Sequence, residues 1–300
     1  MNVRIRAATS DDLPACQAIW AGPPSPGPPP GPNPLHRHEL ETGTLLVAEL
    51  DPPAPGVERP PVIGFGGALR RGDRWYLADL FVEASDRSAG VGRRLLEALV
   101  AAAPSERCCA ASEDLRGQAL YVRAGMAPRW PIYELRAALP LPSRLPVPWL
   151  RTEPAAPDDP ELAAFDEELA GVDRRIDLTW LCGPAGADAL WLIDETGARQ
   201  GYALVQPSND AVLDPVWRSA ATVVGVGVRR AAAATDAVVA TLGWITAMGR
   251  PAVRLLVPGP HPALADLLRA GLRIDGSSLY CASSDRLFDP LRRLPSVSVL

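Results

Sequence analysis

The sequence predicts an α/β protein made of two tandem units, each a mixed, mostly antiparallel sheet flanked by helices. Three observations carry that expectation. The first is self-similarity at an offset near 144 residues. Ile5-Arg6 corresponds to Leu150-Arg151, TLLVAEL (Thr44–Leu50) to DALWLID (Asp188–Asp194), YLADLFV (Tyr76–Val82) to AATVVGV (Ala220–Val226), and RAGM (Arg123–Met126) to RAGL (Arg269–Leu272). The second is the order of elements: short strand-like runs come first, then a strand–helix–strand crossover, which requires a mixed sheet. The third is AALPLPSRLPVPWL (Ala137–Leu150), whose prolines at 140, 142, 146 and 148 exclude a helix and make a stiff linker. The expected organisation is a first unit over 1–136, a linker over 137–149 and a second unit over 150–300.

Within the first unit, a strand over Val3–Ala7 leads through the capping residues Ser10-Asp11-Asp12 into a helix, LPACQAIW. AGPPSPGPPPGPNPLHRHE (Ala21–Glu39) is too rich in proline for regular structure and reads as a long surface loop. Strands follow at 44–50, 62–70 and 75–82, and Val91–Ala103 carries leucines and valines at helical spacing. A strand over Arg107–Ala111, a helix over Leu115–Arg123 and strands at Ala127–Trp130 and Ile132–Leu135 complete the unit.

Composition narrows the chemistry. With 47% hydrophobic residues and a net charge of −5, the 300-residue chain reads as soluble and globular. No apolar run is long enough to span a bilayer, and MNVRIRAATSDD has no apolar core of a secretion signal. The five cysteines have no Cys-x-x-Cys spacing and lie in apolar contexts, which predicts reduced core residues in a cytoplasmic protein. All thirty basic residues are arginine. Without lysine there is neither a P-loop nor Schiff-base chemistry. The acidic balance argues against nucleic acid as a partner.

The stretch DRSAGVGRRLLEALV (Asp86–Val100) follows an apolar strand and opens a helix. A dinucleotide fingerprint needs a third glycine where Leu95 stands. What remains is Arg-x-x-Gly-x-Gly at a helix N-terminus, where free N–H groups and the helix dipole make an anion site without lysine. At this point the sequence resembles the GNAT superfamily of acetyl-CoA-dependent N-acetyltransferases. Leu80-Phe81-Val82, then Arg87 and Gly90-Val91-Gly92, match its pyrophosphate loop; Leu120-Tyr121 to Gly125-Met126 resembles its Leu-Tyr-x-x-x-Gly-Phe signature; and Ile5 to Leu13 resembles its first strand and helix.

The resemblance implies two parallel central strands that splay apart to admit the pantetheine arm, with acetyl-CoA as cosubstrate and no metal. Leu80, Phe81, Val82 and Glu83 would bond that arm through the backbone, and Ser88, Ala89, Gly90, Val91, Gly92 and Arg93 would hold the pyrophosphate, with Arg87 organising the turn. The amine would attack the thioester directly. Tyr121 matches the family's acid, since an ordinary phenol stays protonated beside a thiolate. Asp79 and Glu83, four apart on one strand face, are the candidate bases, with Asp79 preferred. HRHE (His36–Glu39) is expected to be a solvated loop rather than a base or zinc site.

In the second unit, a slide of 144 puts Ala231, Ala234 and Asp236 at the positions of Arg87, Gly90 and Gly92, while the RAGM–RAGL match, two residues longer in offset, puts Leu267 at that of Tyr121. A carboxylate would face the pyrophosphate, so the expectation is a degenerate, GNAT-like second domain, as in tandem GNAT proteins that keep one cofactor site. The expected function is N-acetylation of a small primary amine by a monomer or weak homodimer. The alternative is a non-catalytic acyl-CoA-binding module.

Overall fold

The computed structural model describes residues 3–23, 29–50, 61–87, 89–142, 145–212 and 217–296. The first half contains β1 (Val3–Ala7), α1 (Leu13–Ala21), α2 (Pro34–Thr42), β2 (Thr44–Leu50), β3 (Val62–Arg71), β4 (Arg74–Val82), α3 (Val91–Val100), β5 (Glu106–Ala111), α4 (Leu115–Arg123) and β6 (Ala127–Ala138). The second half repeats that order with β7 (Arg151–Pro154), α5 (Pro160–Ala170), α6 (Arg175–Cys182), β8 (Asp188–Ile193), β9 (Arg199–Gln206), β10 (Ala221–Val228), α7 (Ala234–Ala247), β11 (Ala252–Pro258), α8 (Leu264–Arg269) and β12 (Arg273–Ala282). It then adds a short β13 (Arg293–Leu294).

All of these strands join one mixed sheet in the order β1-β2-β3-β4-β5-β12-β6-β11-β10-β9-β8-β7, with β13 on β10. Among the described residues only β4–β5 and β10–β11 pair in parallel. The two halves exchange their last long strands. β12 lies between β5 and β6, with Cys281 opposite Cys109, and β6 lies between β12 and β11, with Leu135 opposite Leu255. Leu135, Leu255 and Cys281 are all fully buried there. A large apolar side chain buried this way contributes roughly 1.5–3 kcal/mol, so the exchange is a core feature of both halves.

Neighbouring residues of β3 fix the layers, because successive side chains point to opposite faces. A Cβ at Gly66 would meet Leu99 of α3, while one at Gly67 would meet Glu39 of α2. Phe65 packs with Cys16 and Ile19 of α1. Thus α1 and α2 cover one face of this part of the sheet, and α3 covers the other with Leu95, Leu96 and Leu99. α2 also meets the second half, since Leu35 shares a core with Leu178, Trp180 and Leu181 of α6.

Three sequence expectations need correction. The proline-rich stretch Ala21–Glu39 is not loop throughout, because Pro34–Thr42 is helical. Asn33 caps α2 by accepting the Leu35 N–H at 3.1 Å, and Pro34 falls in its first turn, where a missing N–H costs nothing. Consequently His36, His38 and Glu39 are buried, not solvated. Finally, the two strands expected around Pro131 are one, β6. Pro131 lies just past the β11 ladder, whose last pair is Pro258 with Ile132, so the ladder does not require its missing N–H.

Candidate active site

The site begins with an irregularity in β4. Gly67 pairs with Asp79 and Ala68 with Leu77, so Ala78 is an extra, bulged residue. The parallel pairing of β4 with β5 stops at Leu77 opposite Cys109. Beyond it the strands part around a cleft of roughly 760 Å³, with Leu80, Phe81 and Val82 on one bank and Ser112, Asp114, Leu120 and Tyr121 on the other.

The glycine turn forms the foot of this cleft. Gly90 has φ +82°, a left-handed conformation that a side chain would strain, and it precedes the first residue of α3. The first helical bond runs from Arg94 N–H to Gly90 C=O at 3.1 Å, which leaves the preceding N–H groups of α3 without helical acceptors. Among the described residues no side chain caps them. Arg87 Nε donates to Val82 C=O at 3.3 Å and ties the turn to the strand end. Ala89, Gly90, Gly92 and Arg93 all line the cleft, whereas the Val91 side chain is buried in the core and can offer only its N–H. Ser88 lies outside the described residues. Arg87, Arg93, Arg116 and Arg123 line the cleft against two carboxylates, Asp86 and Asp114, so its walls carry a positive excess. A flexible, phosphorylated thioester fits these residues in shape and in charge.

Tyr121 stands on the α4 bank, and burial pushes its phenol well above the ordinary value. Asp79 is buried and faces the α1–α2 side, where His36 Nε2 lies 3.4 Å from its Oδ2. Glu39, also fully buried, occupies the space a Gly67 side chain would fill: a Cβ there would come within 1.9 Å of Glu39 Oε1. Burial, reinforced by the charge of Asp79, raises the Glu39 pKa well above the carboxylate range. Burial and the neighbouring carboxyl group thus favour the protonated form of Glu39. Glu83 stands exposed beyond the end of β4, and the structure does not bring it into the cleft lining. Sequence reasoning named His36 and Glu39 but set them aside as a solvated loop, whereas both are buried beside Asp79. Their signal was the i, i+3 spacing in HRHE facing the small residues of GFGG.

The second half treats the same place differently. Its parallel pairing ends at Val223 opposite Leu255, each 146 residues after its counterpart, and a bulge follows at Val224. In this register Gly90 matches Asp236, Gly92 matches Val238 and Arg87 matches Ala233, which corrects the slide of 144. The first half has a 3-10 turn at Ala84–Asp86 and then the left-handed Gly90 before α3, whereas the second coils through Ala231–Ala233 straight into α7. The β10 edge is taken as well. β13 pairs Leu294 with Val226 and Arg293 with Gly227, at the positions of Leu80 and Phe81.

Comparison with known proteins agrees with this architecture. Residues 13–126 match the acetyltransferase (GNAT) family model. A protein of Pyrococcus horikoshii described as an acetyltransferase superposes with a TM-score of 0.73 at 14% identity, covering 99% of this chain and 96% of that one. A GCN5-related N-acetyltransferase of Sphaerobacter thermophilus gives 0.60 at 16% identity over 99% and 98% of the chains. A tandem GNAT protein from the clavulanic acid biosynthesis pathway gives 0.58 at 16% identity over 94% and 99%. No curated protein sequence matches significantly. The class these define is the tandem GNAT fold.

Proposed function

We propose that the chain is an acetyl-CoA-dependent N-acetyltransferase whose reaction takes place in the first half and whose acceptor is a primary amine of a small molecule. The observation that carries this is the parting of β4 from β5 above a turn of uncapped N–H groups, in a cleft with excess arginine. Acetyl-CoA, when bound, supplies the thioester carbonyl carbon that the amine attacks.

The residues of the chain divide the remaining work. The N–H groups of Gly90 to Arg93, with Arg87 beside them, hold the pyrophosphate by charge-assisted hydrogen bonds. The β4 backbone at Leu80–Val82 holds the extended arm and offers an N–H to the carbonyl oxygen. Asp79 takes the ammonium proton, with Glu39, whose own proton is held by burial, packed beside it. Tyr121, whose proton is held tightly by burial, donates to the departing sulfur. The second half, 150–300, is a degenerate GNAT-like unit joined through 137–149; its role is to complete the sheet and shape the first half. The five cysteines are free, which suits a cytoplasmic enzyme.

Calorimetric titration with acetyl-CoA, followed by thiol release over a panel of amines, tests the reading. Micromolar binding with turnover of at least one amine is expected. Absence of acetyl-CoA binding refutes it, and binding without turnover on any amine leaves the non-catalytic acyl-CoA-binding module.

A further inference from the structure

On the opposite side of β4 from α3 lies a second cavity, of roughly 530 Å³, between α1, α2 and α6. Its size falls in the range of small-molecule sites. Leu13, Pro14 and Pro34 of the first half and Trp180 and Pro184 of the second form apolar walls. The charged groups at its rim, Arg37 and Glu41, are exposed and pair with each other at 3.4 Å, so the cavity presents no net charge.

Two independent features point to a ligand. Two polar atoms of its lining are buried without a hydrogen bond, Trp180 Nε1 and His36 Nε2, the latter with only a 3.4 Å approach to Asp79. Leaving such atoms unpaired costs roughly 1–3 kcal/mol each, which a bound polar group would recover. The second feature is position. His36 lines the cavity, and its Nε2 lies 3.4 Å from Asp79 Oδ2. Asp79 precedes Leu80, which lines the cofactor cleft on the other face. The neighbours Asp79 and Leu80, just past the bulge at Ala78, thus connect His36 at this cavity with the cofactor cleft.

We propose that this cavity is the acceptor site, that it takes a primary amine with an uncharged aromatic or branched-alkyl body, and that His36 conducts the ammonium proton to Asp79. The inference rests on the acetyltransferase reading. In the reaction a C–N bond forms at the acetyl carbon, and the C–S bond breaks with its electron pair going to sulfur. Of the two protons the ammonium loses, one ends on Asp79 through His36 and the other on the thiol of coenzyme A. The body of the amine packs against the prolines and Trp180, while the polar side chains Ser10, Gln17 and Asn33 stand elsewhere in the lining.

The test compares phenethylamine and isoamylamine with spermidine and glucosamine in the thiol-release assay, with acetyl-CoA affinity measured separately. The expected kcat/KM for the apolar amines exceeds that for the other two by at least 10-fold. Trp180→Ala is expected to raise KM for phenethylamine 10-fold or more while acetyl-CoA Kd stays within 2-fold. His36→Gln is expected to lower kcat more than 10-fold with KM within 3-fold. Because Trp180 and His36 are buried, Leu13→Trp serves as a second variant: it fills the cavity from partly exposed α1 and should abolish phenethylamine turnover with acetyl-CoA binding intact. Preference for spermidine or glucosamine, or turnover untouched by Leu13→Trp, overturns the inference alone. No turnover of any of the four, with acetyl-CoA bound, also overturns it alone. Loss of acetyl-CoA binding in the native protein overturns the transferase reading with it.

Discussion

Replacing Gly92 with aspartate separates the glycine turn as a fold element from the turn as an anion cradle, because the two roles predict opposite signs. Gly92 is the second residue of α3, and a Cβ there would meet Val82 Cγ2 at an ordinary 3.6 Å. For the fold the change is favourable. Removing a helical glycine gains up to ~1 kcal/mol, and a carboxylate in the first turn adds ~0.3–1 kcal/mol against the helix dipole. Tm should therefore rise by about 2–4 °C. For binding the change is unfavourable. A carboxylate about 5 Å from a phosphate charge costs ~0.8 kcal/mol in water and ~3 kcal/mol at an effective dielectric of about 20. A value near 2 kcal/mol weakens acetyl-CoA about 30-fold. Titration calorimetry at low and at about 0.15 M salt checks this, with a smaller loss at the higher salt as charges are screened. Gly92→Ala, which adds the Cβ without the charge, should leave Kd within about 2-fold. An unchanged Kd for Gly92→Asp at low salt would refute the anion-cradle account. The register makes Gly90→Asp the closer copy of the second half, but φ +82° there would add backbone strain and blur the comparison.

Three further outcomes follow from other parts of the molecule. Tyr121→Phe should lower kcat by about 100-fold and leave the acetyl-CoA KM unchanged, as for loss of a general acid; an intact kcat would make Tyr121 a packing residue. Asp177 accepts hydrogen bonds from His38 and Arg71 across the two halves, at 2.8 Å from each. Burial pushes its pKa up, but those two partners outweigh burial and hold it below the usual 3.8. The stabilisation is thus present above pH ~4 and lost as pH falls through the lower folded value. Asp177→Asn, which strips Arg71 of its counter-charge, should cost ~3–5 kcal/mol at pH 7 by urea unfolding and lose the acid dependence. His261 is buried, and burial pushes its pKa down from 6.5 to about 4, against a weaker opposing pull from Asp289. Only the unfolded chain takes up that proton between those values, so stability should fall by up to ~3 kcal/mol as pH drops from 6.5 to 4. His261→Gln should flatten that slope in unfolding midpoints measured across the window.

Much of the first half was legible because its signals are local. The strand β4, the glycine turn and the helix α3 follow from alternation, two glycines and leucine spacing, and each is decided within a dozen residues. The bulge at Ala78 was not legible, since it is defined by which residue of β3 faces which residue of β4. The burial of His36 and Glu39 was hidden for another reason. Proline density in the preceding stretch argues for loop, yet one proline in the first turn of α2 is a helix start, and the carboxyl finds its place only because Gly67 leaves room on the sheet. The repeat itself was visible, but β12 in the first half and β6 in the second depend on contacts some 150 residues apart, as between Leu135 and Ile274 or Cys109 and Cys281. No local pattern encodes which of two equivalent sheets a strand will join.

That crossing of strands changes the order of the reaction by which the protein forms. Two separate copies of such a unit trading their last strands would meet in a second-order step and would come apart on dilution. Here the linker supplies the partner at an effective concentration in the millimolar range, whatever the amount of protein present. Completing either sheet is unimolecular, and neither half can reach its final form before the other has been synthesised. Whatever the second half binds, it is not dispensable to the first, because the strand it lends flanks β5, which runs into the cleft bank at Ser112.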